Sequence, residues 1–305
     1  MMRELLPITA LAGALLMTGA AATPPTDAIV DAATAYVAFR SDAEAIGAAP
    51  LATAADLDHA LQRAGRHNPD ALSRGWIAYG ALIAEKSPAF AAGVRAVSER
   101  YGRTAVLRAL AADPAYPTRR RGYNHAVSLL LASDADIRVA LRRDVTRWET
   151  VADAVDSLPG GVDAQERAAM LRRSDEAPYV ATTETRADLA TLAPPAADEK
   201  LRAVVARAAI VRRMTALAAM RVLGAGDEWR ASMDRMMTDP TSRDCVRLEQ
   251  LQFYQCVSVT ENAEPAYCLS RHAIEGVGAC VTGLSRSATV PMSAGGINGL
   301  DVRRH

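Results

Sequence analysis

The residues with the widest range of chemistry in this sequence are four cysteines near its C-terminal end. They are Cys245, Cys256, Cys268 and Cys280. Cysteines form disulfides, bind zinc or carry redox chemistry, and their spacing separates these uses. Zinc knuckles use closely spaced pairs with about two to four residues between them, and redox motifs use Cys-x-x-Cys. Because the sequence has neither spacing, the pattern favours two structural disulfides.

The pairing of these cysteines follows from helix geometry if they lie in two helices joined by a turn. Positions eleven residues apart in a helix are separated by about 16 Å, whereas a disulfide spans at most about 7 Å between Cα atoms. This excludes a bond within the first helix, and the same argument excludes one within the second. The crossed pattern requires parallel helices, which the short turn cannot connect. The nested pairs, Cys245–Cys280 and Cys256–Cys268, therefore remain.

The helices of this hairpin have recognisable ends. Asp239-Pro240 opens the first helix as an N-cap followed by proline, and residues 261–265 form the turn. Cys268 and Cys280 are twelve residues apart, which places them about a third of a turn out of phase on an ideal helix. We therefore expect the glycines at 276 and 278 to loosen or end the second helix, so that Cys280 turns inward.

An arginine run in the middle of the chain is the second candidate site. Arg119, Arg120 and Arg121 precede a predicted helix that contains His125. Guanidinium groups ahead of a helix N-terminus suit a phosphate or a carboxylate. The sequence thus allows a small anion to bind at Arg119, Arg120, Arg121 and His125, with a solvated charged turn as the alternative.

Other catalytic signatures are missing from the sequence. No two of its five histidines share a helix face at metal-ligand spacing, and no nucleophile elbow or phosphate loop is present. We therefore expect no metal and no cofactor. Carboxylates are plentiful, but catalytic pairs are set by folding rather than by spacing. A hydrolase of envelope polymers, with carboxylates or His125 in a cleft between helices, is the alternative hypothesis.

The N-terminus predicts export. Arg3 gives a weakly basic start, Leu5–Met17 is apolar, and Ala20–Ala22 matches a small-residue cleavage site. We expect cleavage after Ala22, so residues 1–22 form a signal peptide. The apolar run is too short and interrupted for a transmembrane anchor. Because disulfides persist in oxidising compartments, we expect a periplasmic or secreted protein.

The hairpin carries a local resemblance to known sequences. The segment from Cys245 to Cys256, followed by Tyr267-Cys268 and His272, resembles the C-terminal end of uncharacterised exported helical proteins of alphaproteobacteria. This resemblance covers mainly the hairpin and the signal sequence, and it implies no catalytic residues. The hairpin is also similar to the twin Cys-x9-Cys type. That type has nine residues between the two cysteines of a helix, whereas this sequence has ten in the first helix and eleven in the second.

Composition excludes some classes of partner. Thirty-five basic and thirty-five acidic residues leave no net charge, so there is no electrostatic case for nucleic acid or an anionic membrane. Half of the 305 residues are apolar, and only 5% are aromatic. Many of the apolar residues are alanine, which favours closely packed helices over a sheet sandwich. The predicted fold is all-α, a multi-helix array with a C-terminal disulfide-stapled antiparallel helical hairpin.

Helix signals repeat along the chain. Predicted N-caps are Thr26, Thr53, Asn68 and Ser87, and the last two are followed by proline. Further helices are expected at 123–131, 133–158, 165–173 and 198–223. We expect an N-terminal helical array at 23–175, a linker at 176–197, a C-terminal helical unit with the cysteine hairpin at 198–283, and a disordered tail at 284–305.

These features together favour an exported protein of the cell envelope over a cytoplasmic enzyme. Amphipathic helices, neutral charge and the lack of a catalytic motif predict a non-enzymatic binding or scaffold module. Its expected partner is an unidentified envelope protein or a small ligand, held in a groove between helices.

Overall fold

The computed structural model describes residues 27–49, 52–155, 169, 182–196, 204–259 and 264–286. Within these ranges the chain is helical almost throughout, which confirms the predicted all-α class. Short 3-10 helices occur at Tyr116–Arg119 and Asp227–Trp229. The α-helices are α1 (Ala28–Ala48), α2 (Ala54–Gly65), α3 (Pro69–Glu85), α4 (Pro88–Tyr101), α5 (Arg103–Ala112), α6 (Tyr123–Val155), α7 (Thr183–Ala190), α8 (Ala208–Val222), α9 (Arg230–Met237), α10 (Pro240–Val259), α11 (Glu264–Cys268) and α12 (Val277–Cys280).

Side-chain caps begin several helices where the sequence predicts them. Asn68, Ser87 and Asp239 each precede a proline and accept a hydrogen bond from a backbone N–H group of the following turn, at 3.0 to 3.2 Å. Thr53 and Asp56 form a reciprocal capping box at the start of α2. These bonds satisfy N–H groups that have no partner inside the helix.

Two helices begin later than predicted. The N-cap of α1 is Asp27 rather than Thr26, since the Asp27 carboxylate accepts hydrogen bonds from two N–H groups of the first turn at 3.1 and 3.3 Å. The predicted helix at 198–223 is also shorter where it is described, because Val204–Val205 form a strand and the helix begins at Ala208, while Asp198 lies outside the described residues.

Helix α6 is one continuous helix, whereas the sequence predicted separate helices at 123–131 and 133–158. The expected break lies at Ser133, followed by Asp134, residue types that commonly cap helices. Both side chains are instead buried, and the Asp134 carboxylate accepts a hydrogen bond from the N–H of Leu284 at 3.1 Å. Because a distant segment uses this carboxylate, it does not act as a cap.

A small antiparallel pair of strands joins distant parts of the chain. Strand β1, Val204–Val205, pairs with strand β2, Ser285–Arg286. Leu284 beside it is 2% exposed. The first residues of the predicted tail at 284–305 are therefore packed against the protein, and residues 287–305 lie outside the described part of the chain.

A helix lies within the predicted linker at 176–197. Helix α7 packs against α1 through buried Leu189, and Arg186 bonds Asp31 of α1 at 2.9 Å.

The predicted division into two helical units stays a prediction. The signal peptide at 1–22 and most of the predicted helix at 165–173 lie outside the described residues.

The hydrophobic core is built around α3, which packs between α1 and α8. Helix α3 is apolar on nearly all sides, as expected for a helix surrounded by other helices. Gly75 allows the closest approach, since a Cβ there would lie 2.7 Å from the carbonyl oxygen of Ala32 in α1. Core side chains from α1 to α12 form one continuous cluster.

The C-terminal hairpin has the predicted architecture. Helix α10 carries Cys245 and Cys256, and the returning segment carries Cys268 and Cys280. Disulfides join Cys245 to Cys280 and Cys256 to Cys268, each with its Cα atoms 5.7 Å apart. Both predicted pairings are thus confirmed, and the two helices run antiparallel as the nested pattern requires.

A π-helix, rather than a break at the glycines, brings Cys268 and Cys280 onto one face. The π-helix spans Leu269–Gly276 between α11 and α12. Its wider winding advances each residue by a smaller angle than an α-helix does, which offsets the predicted phase difference between the cysteines. Of the two expected effects of the glycines, an end of the helix is wrong, because the chain stays helical through Gly276 and Gly278, whereas a loosened winding is present as the π-helix that runs to Gly276.

Candidate functional site

The predicted anion site lies beside the N-terminus of α6. Arg120 is partly buried and stacks over the ring of Tyr116, with its guanidinium carbon 4.3 Å from the ring centre. Its buried Nε atom has no hydrogen-bond partner among the described residues. Arg119 and Arg121 are exposed. The arginines therefore do not converge as one charged pocket, and anion binding at this run stays a prediction.

His125 is a packing residue in this arrangement. Its Nδ1 atom lies 2.7 Å from the hydroxyl oxygen of Ser87, which also caps α4 by accepting the N–H of Phe90. Ser87 is 0% exposed, so its hydroxyl is out of reach of a substrate. Neither His125 nor Arg119, Arg120 or Arg121 lines any of the cavities discussed below.

A groove between α1 and α6, covered by α7, is the strongest candidate site that the described residues form. Its volume is about 250 Å³. Tyr79 of α3 forms part of its floor. The groove combines an apolar base with positively and negatively charged side chains. Its remaining lining residues are Val37, Arg40, Ser41, Glu44, Ile137, Ala140, Leu141, Arg143, Asp144, Asp188, Leu189 and Leu192.

Helical spacing explains how the chain assembles this groove. On α1, Val37, Arg40 and Glu44 follow the i, i+3, i+7 pattern of one helix face. On α6, Leu141 and Asp144 are likewise one turn apart. The aliphatic residues Ile137 and Leu141 recur at helical spacing along this face of α6, and Asp144 continues the same spacing. A carboxylate at a position of the apolar stripe is the signal that could have identified this site.

Arg40 is the organised cation of the groove. Its Nη1 atom donates a hydrogen bond to the Tyr79 hydroxyl at 2.9 Å, and its guanidinium lies 5.4 Å from the centre of the Tyr79 ring. These contacts restrict the side chain before any ligand arrives. Because a guanidinium has five N–H donors, the bond to Tyr79 leaves donors of Arg40 for another acceptor.

Asp144 is the buried acid of the groove, with 7% of its surface exposed. It packs against Gly47 of α1, where a Cβ would lie 2.9 Å from the Asp144 Cβ. Burial raises the pKa of Asp144, Arg143 opposes this, and the negative charge of Glu44 raises the pKa further. Arg143 is the ion-pair partner of Asp144, and its nitrogens lie 3.5 Å from Asp144 Oδ1.

A smaller, buried space lies behind the groove and shares Tyr79 and Ile137 with it. Its volume is about 10 Å³, roughly the space of one water molecule. Asp134 lines it, and burial raises the pKa of this carboxyl, although the hydrogen bond from the Leu284 N–H and the positive charge of Arg138 oppose this. The hydrogen bond that Asp134 accepts from Leu284 ties the C-terminal segment to α6, so we assign this space to the architecture of the protein.

A second buried carboxylate, missed in the sequence, is structural. Asp42 lies 3.1 Å from Arg63, 2.6 Å from Arg66 and 3.0 Å from His67. Burial alone would raise the pKa of Asp42, but hydrogen bonds from His67 and Arg66 hold it below its usual range. This cluster connects α1 to the end of α2.

Another groove lies between α6 and the end of the hairpin. Its volume is about 190 Å³, and Arg138, Arg142, Leu141 and Thr282 are among its lining residues. Elsewhere in the described ranges, no group of three histidine, cysteine or acidic side chains is placed to hold a metal ion. None of the described helices has both the length and the apolar character to span a membrane.

Comparisons with known proteins add no identification. No family model, no curated protein and no solved structure matches this chain. The site is therefore interpreted from its own geometry.

Proposed function

We propose that the protein is an exported, non-enzymatic binding module of the cell envelope, and that the groove between α1 and α6 holds a small ligand. The observation that carries this proposal is the composition of the groove. Apolar side chains from three helices form its base, and a restrained arginine and a buried acid stand among them. Ligand sites typically combine a concave apolar surface with a few placed polar groups.

Native mass spectrometry tests the binding function. The mature protein is equilibrated with the small-molecule fraction of an envelope extract, and bound masses are recorded. We expect a ligand mass on the wild-type protein and its loss in Ala140→Trp, because Ala140 lines the groove and indole would fill it. Val139→Trp is the matched control, since Val139 is the neighbouring residue and is 69% exposed. Equal binding by both variants would contradict the proposal.

The proposed compartment is supported by the N-terminal signal pattern and by the two disulfides, which persist in oxidising surroundings. The resemblance of the hairpin to exported helical proteins points the same way. Fractionation of the native cells tests it. We expect the protein in the periplasmic or secreted fraction, oxidised and beginning at Thr23. A cytoplasmic protein that retains residues 1–22 and free thiols would exclude export.

A hydrolase is the second candidate, and two of the three carboxylates that line the groove, Glu44 and Asp144, favour it. Asp144 has a raised pKa, and the charge of Glu44 contributes to that shift. Glycoside hydrolases use a pair of carboxyl groups, one of which has a raised pKa. The same mass spectra distinguish this case, because a hydrolase would change the masses in the extract. Glu44→Gln would then abolish the change while the fold is retained.

A further inference from the structure

We infer that the ligand of the groove is a free apolar amino acid, a zwitterion whose aliphatic side chain packs on the apolar base. This inference rests on the proposed binding function and names its ligand class. Two arginines and three carboxylates line the groove around an apolar base, and the ligand class is inferred from Arg40, from the pair Glu44 and Asp144, and from that base.

Arg40 supplies the partner for a carboxylate. A guanidinium recognises a carboxylate through paired N–H groups in a fixed plane. The Tyr79 hydroxyl accepts one of these groups and the Tyr79 ring supports the guanidinium plane, so that Arg40 is held in place. A side chain restrained in this way loses little conformational entropy when it binds.

Glu44 and Asp144 supply the partners for an ammonium group. Glu44 lies one helical turn after Arg40, about 6 Å further along the axis of α1, and faces the same groove. The charge of Glu44 raises the pKa of Asp144, so the two carboxylates repel each other. A bound ammonium would relieve this repulsion. Arg143, whose nitrogens lie 3.5 Å from Asp144 Oδ1, and Arg147 offset part of this repulsion.

The apolar base lies among these charged groups and limits the size of the ligand. Val37, Ile137, Leu141 and Leu189 come from three helices, and Leu192 lies in the segment that follows α7. The volume of about 250 Å³ is below the range of about 300–1,000 Å³ typical of sites for drug-sized ligands. A single aliphatic side chain with its two charged groups suits this space. A longer peptide would carry its ammonium and carboxylate too far apart to meet both partners.

Isothermal titration calorimetry on the mature protein tests the inference. The probe is L-leucine, and its comparison compounds are N-acetyl-L-leucine, L-leucinamide and glycine. These compounds lack the ammonium, the carboxylate and the side chain respectively. We expect L-leucine to bind, and each comparison compound to bind about tenfold to a hundredfold more weakly, because a charged hydrogen bond or a buried aliphatic side chain is lost.

Two groove variants assign the charged contacts. Glu44→Gln is expected to weaken the binding of L-leucine but to leave that of N-acetyl-L-leucine unchanged, since this compound has no ammonium. Arg40→Gln is expected to weaken L-leucine but not L-leucinamide. Arg142→Gln is the matched control, because Arg142 is an exposed arginine of α6 that does not line the groove. It should leave all the affinities unchanged.

The outcomes separate the inference from the proposed function. No heat with L-leucine, or affinity that neither groove variant changes, would overturn the amino-acid inference. If the envelope extract still yields a ligand that Ala140→Trp excludes, the binding function stands with a different ligand. If no bound mass depends on the groove, the function itself is contradicted.

Discussion

Asp42 is the residue whose environment makes the clearest prediction about stability. Its carboxylate is 2% exposed and faces Arg63, Arg66 and His67. Burial opposes its ionisation, but the hydrogen bonds from His67 and Arg66 leave its pKa below the usual range. A depressed carboxyl pKa contributes stability that is present above the pKa of the unfolded chain and is lost as the pH falls through the folded pKa.

We therefore expect Asp42→Asn to lower the free energy of unfolding by about 1–3 kcal/mol near neutral pH, because it removes the charged acceptor of Arg63 and Arg66, whose partial exposure lets water screen some of the loss. Urea unfolding at a series of pH values measures this loss, which should shrink below the folded pKa of Asp42. Asp136→Asn is the control, since Asp136 is exposed on α6. A loss that stays constant down to the most acid pH would contradict the ionic explanation.

For Asp144 we expect stability to change with pH in the opposite direction to that for Asp42. Burial raises its pKa, Arg143 only partly opposes this, and Glu44 adds to it. A raised carboxyl pKa means that the folded protein holds the proton more tightly than the unfolded chain. Stability then decreases as the pH rises from the unfolded pKa through the folded pKa.

Asp144→Asn removes this penalty while it keeps the shape that packs against Gly47. We expect the free energy of unfolding near neutral pH to rise, by up to about 1 kcal/mol, and to be unchanged under acid conditions. Urea unfolding of the wild type and the variant at both pH values checks this. A loss of stability at neutral pH would instead show that Asp144 supports the fold. Residues that serve ligand binding commonly lower the stability of the folded protein in this way.

At the scale of the elements, close packing of α1 and α3 depends on Gly75. A Cβ at this position would lie 2.7 Å from the backbone oxygen of Ala32, and a backbone atom cannot turn aside. Gly80, on the same helix, faces the Met214 side chain in α8, which is flexible. Alanine at Gly75 therefore meets a rigid neighbour, whereas alanine at Gly80 meets a flexible one.

We expect Gly75→Ala to lower the free energy of unfolding by about 1–3 kcal/mol, because overpacking outweighs the gain in helix propensity. Gly80→Ala should cost less. Thermal and urea unfolding of both variants give the comparison. If Gly80→Ala proved the more damaging, the methionine would be held more rigidly than this argument allows.

The two disulfides should contribute unequally, because they close loops of different length. Cys245 and Cys280 are 35 residues apart, whereas Cys256 and Cys268 are 12 apart. From loop entropy, replacing each pair by alanine costs about 4 and about 3 kcal/mol respectively. Urea unfolding of both double variants under non-reducing conditions measures the difference. A larger loss from the shorter loop would mean that native contacts, rather than chain entropy, decide the effect.

At the scale of the whole molecule, core residues from both predicted helical units belong to one hydrophobic cluster. Helix α8, from the C-terminal unit, packs on α3 of the N-terminal array. A contact also connects α1 to the segment after α12, since the Tyr36 hydroxyl donates to the carbonyl oxygen of Val281 at 3.3 Å. Elements that share a core lose their stability together.

We therefore expect a single heat-absorption peak on thermal unfolding, with equal calorimetric and van't Hoff enthalpies. Differential scanning calorimetry of the oxidised mature protein provides the measurement. Two resolved peaks would indicate that the units at 23–175 and 198–283 unfold independently.

Local chemistry in the sequence predicted much of the fold. Asn68, Ser87 and Asp239 cap helices because a side-chain oxygen followed by proline suits a first turn whatever surrounds it. The cysteine pairing was predictable for a similar reason, since the length of a helix excludes a bond between two of its turns. The arginines at 119–121 and His125 were recognised in the sequence as a candidate site. The contact of His125 with Ser87 was not predicted from the sequence.

Only the tertiary structure decided the rest. The continuity of α6 at Asp134 depends on Leu284, and the strand at Val204–Val205 depends on Ser285–Arg286. The groove likewise requires α1, α3, α6 and α7 to meet, so no local pattern contains it. Caps and helix periodicity are determined over a few neighbouring residues, whereas a buried carboxylate, a strand pair or a groove acquires its energy from residues far away in the chain.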